Sequence, residues 1–245
     1  MLEAVRDQAH GLQAWELRPP TRVLPVVATP ESERSLELLW RLERAFRSME
    51  LPVTVLEGVG GLSPADRRAG HRHVLGCWLQ SVQEGSVVLL HAPLEALSVL
   101  LADSLARPLV ALTPEPAAVV GAYNAVKVLH QAAALQPIVL TIAPEEGAFE
   151  GASPEGRQQS AAHALCETAR QRLGWVPVVW TVGYHSYGNG PFAPAASLST
   201  WLKLLDSALI LEEDPRAHDD IRRQRCPNPA DQTIGVPDVH RQRHA

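Results

Sequence analysis

The sequence predicts an α/β fold, a mainly parallel sheet flanked by helices. Three observations carry that expectation. Short apolar runs alternate with amphipathic helical stretches from about Val23 to Leu211. One run, Ser86–Leu90 (SVVLL), is continuously apolar, as in a strand covered on both faces. Prolines follow a hydroxyl residue where helices should begin, at Thr29-Pro30 and Thr113-Pro114. Such alternation is the mark of parallel strands joined by crossover helices.

Taken in order, Leu2–Leu17 is the first helix expected, with Leu2, Val5, Ala9 and Leu12 on a thin stripe. Arg18-Pro19-Pro20 stops it, because proline cannot continue a helix and restricts the residue before it. Val23–Ala28 is a short apolar run read as a strand, a reading that Pro25 weakens. A helix to about Met49 comes next, with Leu36, Leu39, Leu42, Phe46 and Met49 on one face. Pro52–Leu56 reads as a strand, Glu57–Gly61 as a glycine-rich turn, and Ala69–Val82 as a helix. After Ser86–Leu90 come a turn at His91-Ala92-Pro93 and a helix over Leu94–Ala106. Leu109–Leu112 is a strand and Ala117–Ala134 a helix. Ile138–Ile142 is the fifth strand, and Gly147–Gly156 an acidic loop. Gln158–Leu173 is a helix, Val176–Val182 a strand, and Ser197–Leu211 the last helix. The division expected is residues 1–20 as helix and linker, 21–213 as one α/β domain, and 214–245 as a polar, disordered tail.

Composition narrows the function classes. The 245 residues are 46% hydrophobic and carry a formal charge of -5, which speaks against direct nucleic-acid binding. No apolar run approaches the ~20 residues of a membrane span, and no secretory leader opens the chain. Cys77, Cys166 and Cys226 are scattered, which points to a reducing compartment rather than a disulfide scaffold or zinc ribbon. Lys and Arg total 22, but only Lys127 and Lys203 are lysines.

Ligands of such sheets sit beyond the carboxyl ends of the strands, so the turns there matter most. The first, Thr29-Pro30-Glu31-Ser32-Glu33, has neither glycine nor lysine and sets carboxylates where phosphates would lie. It reads as a well-capped helix start. The second has glycines but no lysine. His91 could act as a base, yet without a named acidic partner it reads as structural. In Thr113-Pro114-Glu115-Pro116, Thr113 reads as the cap and Pro114 as the first helical residue. His71, His73 and Cys77 could ligate a metal, but a solvated helix face fits their spacing better. Gly183–Gly190 reads as a surface loop, since no nucleophile elbow presents Ser186. His218, His240 and His244 in the tail have no metal-site spacing. No catalytic set emerges from the residues alone.

Two motifs add a resemblance. Leu112-Thr113-Pro114-Glu115-Pro116 runs into a helix bearing Ala122-Tyr123-Asn124-Ala125-Val126-Lys127, and Asp7-Gln8-Ala9-His10-Gly11-Leu12-Gln13 lies near the start. Together they resemble the MinD/ParA-like family, in its FlhG/FleN branch, which regulates flagellar number and placement. There a strand ends in T-P-E-P ahead of a helix with A-Y-x-x-x-K, and a D-Q-A-x-x-L-R helix stimulates the SRP-type GTPase FlhF. The order of strands and helices is also similar to that family's. The resemblance implies a deviant Walker fold. It implies partner-binding roles for Asp7, Gln8, Ala9 and Leu12, and family-signature structural roles for Thr113, Pro114, Glu115, Pro116, Tyr123 and Lys127. Gln13 stands where the branch has arginine.

The departures imply lost chemistry. The family's K-G-G-x-G-K-T loop is replaced by Thr29–Leu36, and its D-x-x-G switch by His91-Ala92-Pro93-Leu94. The acidic residue ending the second strand has only a loose equivalent at Glu57-Gly58. The asparagine expected after the fifth strand is missing from Thr141-Ile142-Ala143-Pro144, and the tail is too polar for the family's membrane helix. Hydrolysis depends on such groups for positioning and charge neutralisation. The expectation is therefore a non-enzyme (a pseudo-ATPase) without cofactor, cytoplasmic, recruited to the cell pole by an FlhF-type GTPase or another flagellar assembly protein. Two alternatives stand beside it. One is an ATPase with an altered site for ATP and magnesium. The other is a scaffold of a different envelope or secretion system.

Overall fold

The computed structural model describes residues 20–28, 32–57, 71–142, 154–182 and 198–210. The elements are β1 (Arg22–Ala28), α1 (Ser32–Ser48), β2 (Val53–Glu57), α2 (His71–Trp78) with a 3-10 turn over Leu79–Ser81, and β3 (Val87–Pro93). They continue with α3 (Leu94–Leu100), β4 (Leu109–Leu112), α4 (Pro116–Ala133), β5 (Ile138–Ile142), α5 (Pro154–Leu173), β6 (Val178–Val182), α6 (Leu198–Asp206) and β7 (Leu209–Ile210). Among the described residues the sheet has seven strands, six of them parallel in the order β2-β3-β1-β4-β5-β6, with β7 antiparallel to β1 off this path. The α/β class with a mostly parallel sheet is as expected.

Crossover handedness fixes which helices cover which face. The connection β1-α1-β2 runs toward the β2 end of the sheet. Those through α2, α3, α4 and α5 run toward the β6 end. Right-handed crossovers must put the two groups on opposite faces. Leu38, Leu42 and Phe46 of α1 pack with Leu24, Leu89 and Leu140. Leu75, Leu97, Leu129 and Leu165, one from each of α2 to α5, pack with Val27, Val88 and Val139. The α6 helix returns the chain to β1 on the α1 face, where Trp201 meets Phe46 edge-on at 6.2 Å between ring centroids. Such an aromatic pair adds about 1 kcal/mol beyond its buried area.

Several elements depart from expectation, each for a physical reason. The strand holds through Pro25, and it lies inside the sheet. The proline stands between the two residues that pair with β7, Arg22 and Val23, and Val26, which pairs with β4. One edge of β1 thus changes partner around the proline. In α1 the buried stripe is Ser35, Leu38, Leu39, Leu42, Ala45 and Phe46, while Leu36 is 44% exposed. The helical period holds, and the sheet selects an adjacent strip. The α3 helix stops at Leu100, because Asp103 turns left-handed at φ 58° and donates its N–H to Ala133 O. The α5 helix begins at Pro154, a residue suited to a first turn. The last helix is shorter than expected, and Leu209 and Ile210 leave it to form β7. Among the described residues no helix is long and apolar enough to cross a membrane.

Candidate functional site

The carboxyl ends of β1, β3 and β4 lie side by side at the centre of the sheet. Here the connection from β1 turns toward one edge and that from β4 toward the other. Such a topological switch point is where open α/β sheets present their ligands.

β3 reaches further than its apolar run suggested. It continues through His91 and Ala92 to Pro93, because both neighbours extend that far. Ala28 of β1 pairs with Pro93, and Glu57 of β2 pairs with His91. His91 is therefore a strand residue and not part of a turn. Register also gives it the acidic neighbour that the sequence did not reveal. Its side chain joins Val87 and Leu89 on the α1 face. His91 Nε2 and Ser35 Oγ are 3.2 Å apart and share a hydrogen bond whose direction depends on the tautomer. Both residues are buried, Ser35 fully. Burial lowers the His91 pKa below its ordinary value, and the Glu57 carboxylate opposes that shift without cancelling it. The imidazole is thus neutral at pH 7. Ser35 at 0% exposure is no open nucleophile, so the pair ties β3 to α1.

The β4–α4 junction corrects the expected cap. The helix begins at Pro116 and its N-cap is Glu115, in extended conformation at φ -69° and ψ 137°. A residue preceding proline is pushed out of the helical region, so the second proline sets the boundary rather than Pro114. Thr113 is buried, and its hydroxyl donates to the Glu115 carboxylate. That carboxylate sits at the positive end of the helix dipole, where negative charge is favoured. Along α4, Tyr123 is half-buried against the core formed with Ala122, Val126 and Leu129, while Lys127 is exposed.

A third feature was not singled out in the sequence. Arg41 of α1 is 4% exposed, pairs with Glu37, and donates from one guanidinium nitrogen to Val182 O at 2.7 Å. It fastens the end of β6 to α1. Only its place in an i, i+4 pair with Glu37 hinted at a partner. Beyond the sheet centre, Thr141 donates to Thr181 Oγ1 at 3.1 Å between β5 and β6.

His73 and Cys77 share a face of α2, with Nε2 and Sγ 3.9 Å apart. Among the described residues no group of three or more His, Cys, Asp or Glu could hold a metal ion. Cys166 is a free thiol, and burial pushes its pKa up while Arg170 pulls the other way. That places it among inert thiols.

The expected partner-binding residues Asp7, Gln8, Ala9 and Leu12 lie outside the described residues. So do Thr29–Glu31, Gly58–Gly61, Gly183–Gly190 and the tail from 214. No family model matches the chain, and no curated protein matches it.

Proposed function

We propose that the protein is a non-catalytic, FlhG-like regulator of flagellar biosynthesis or placement that acts through protein contacts. In this reading the N-terminal Asp7–Leu12 segment engages an FlhF-type GTPase, Gln8 reaches its catalytic site, and Leu12 anchors the helix. The protein acts in the cytoplasm and reaches the cell pole through its partner.

The observation that carries the reading is the pairing of His91 with Ser35 at the sheet centre, beside the intact Thr113–Pro116 junction. The family's switch aspartate would lie in this region of β3. Here a neutral imidazole is held by a helix hydroxyl, which neither ligates magnesium as a carboxylate would nor neutralises phosphate charge. Lys127 and Lys203, the two lysines of the sequence, belong to α4 and α6 and not to the sequence between β1 and α1. Arg41, the buried cation of α1, is engaged by Glu37 and Val182 O.

Deleting residues 1–18 tests the reading directly. The full chain should stimulate GTP turnover by an FlhF-type partner, and the shortened chain should not. Equal stimulation by both rejects the mechanism. Micromolar binding of ATP with magnesium in calorimetry would favour the ATPase alternative.

A further inference from the structure

The two outer strands of the sheet differ in chemistry. Among the described residues β2 pairs only with β3, and β6 pairs only with β5. β2 ends in Glu57, a charge of the kind that guards sheet edges against pairing. β6 reads Val178-Val179-Trp180-Thr181-Val182. It has no charge and no proline. All but Val182 keep some exposure, and Thr181 keeps the most.

In side-chain shape, though not in residue identity, β6 is also symmetric about its centre. Valine stands at both ends, the β-branched Val179 and Thr181 flank the centre, and Trp180 is the centre. Alternation puts Val178, Trp180 and Val182 on the α1 face, and Val179 and Thr181 on the α4 face. We infer that the outer edge of β6 pairs antiparallel with the same edge of a second copy of this chain, continuing the sheet across a two-fold axis at Trp180. An axis normal to the sheet keeps each face with its like and closes after one partner. Trp180 then meets the partner's Trp180, Val178 meets the partner's Val182, and Thr181 meets the partner's Val179. Aromatic and β-branched pairs of this kind are the favourable cross-strand contacts. The same operation on β2 would set Glu57 against the partner's Val53. That contrast selects β6. One five-residue edge is smaller than a standard interface, so the dimer forms reversibly and with concentration.

The test is sedimentation equilibrium on the full chain over about a hundred-fold range of concentration. The weight-average mass should rise from one chain toward two. Thr181→Lys places a charge in the pairing edge and should weaken dimerisation at least about ten-fold, while Thr181→Ser should change it by less than about two-fold. Trp180→Cys gives the register, because position 180 alone faces its own copy. Directly opposed residues sit ~4.5–5.5 Å apart at Cα, within disulfide range, so mild oxidation should yield an interchain disulfide that the parent chain does not form. A mass fixed at one chain throughout overturns the proposal. So does a dimer indifferent to Thr181→Lys, or one in which Trp180→Cys does not crosslink. If Thr181→Lys fails to fold, Trp180→Cys decides alone.

Discussion

His91 and Ser35 meet at 3.2 Å although 56 positions separate them, and their contact joins the end of β3 to the first turns of α1. The imidazole is buried and its pKa lies below the ordinary 6.5. An unfolded chain therefore binds a proton there more readily than the folded one. Stability from this group is fully present above pH 6.5 and is lost as pH falls through the folded value. The melting temperature should drop on acidification from about pH 7.5 to about pH 5. His91→Gln should lower it at the upper pH and flatten that drop. Thermal melts of both proteins across the pH range make the comparison. An unchanged slope in the variant would assign the titration to another of the ten histidines.

Much of the architecture was legible before the fold was known. The strand–helix alternation pointed to the class, and β1, β2, β4, β5 and β6 fall within a residue or two of their expected places. What was not legible was long-range. The continuation of β3 through His91 depends on partners on both sides, and Glu57 becomes its neighbour only through register. β7 is two residues long and holds because β1 offers an edge beside Pro25. Arg41 finds Val182 O across 141 positions. Local pattern carries none of these pairings. The N-terminal motif and the turn after β1 are outside the described residues, so that part of the candidate site still rests on sequence.

Arg41 should be among the costliest single substitutions in α1. Its guanidinium serves a main-chain carbonyl and a carboxylate at once. Arg41→Ala leaves Val182 O without this donor and opens space beside the core. Loss of one member of a buried ionic group costs about 3–5 kcal/mol, and the 26% exposure of Glu37 moves the expectation to about 2–3 kcal/mol. Arg41→Lys should recover only part of this, since an ammonium lacks the planar fork that reaches both partners. Urea midpoints of the three proteins give the ranking. Full rescue by lysine would mean that charge alone matters and the fork geometry does not.

Ser86 offers the opposite sign. It is fully buried just before β3, and its hydroxyl has no hydrogen-bond partner among the described residues. Its main-chain groups are satisfied by Gln83 O and by the N–H of Arg22. Ser86→Ala therefore removes an unpaired polar atom while leaving the backbone untouched. A gain of about 0.5–1 kcal/mol is expected, at the low end of the cost of burying a hydroxyl unpaired. Chemical denaturation reads the difference. A loss of stability would show that the hydroxyl is satisfied in solution, by water if not by protein.

Ala134 and Gly174 end two helices in the same conformation with opposite residue choices. Ala134 caps α4 at φ 54°, and the N–H groups of Ala134 and Leu135 both turn back to Leu129 O. Gly174 lies just past α5 at φ 66° and donates to Arg170 O. A side chain with a Cβ costs about 1–2 kcal/mol in the left-handed region, and glycine does not. Glycine is also freer in the unfolded chain, which offsets part of that difference. Ala134→Gly should thus stabilise by about 0.5–1 kcal/mol, and Gly174→Ala should destabilise by about 1 kcal/mol. A Cβ built on Gly174 meets nothing within 4 Å, so its cost is conformational and not a clash. Asparagine, which tolerates this region better than alanine, should recover part of the loss at 174. Equal losses for Gly174→Ala and Gly174→Asn would refer the effect to surrounding contacts instead of backbone conformation.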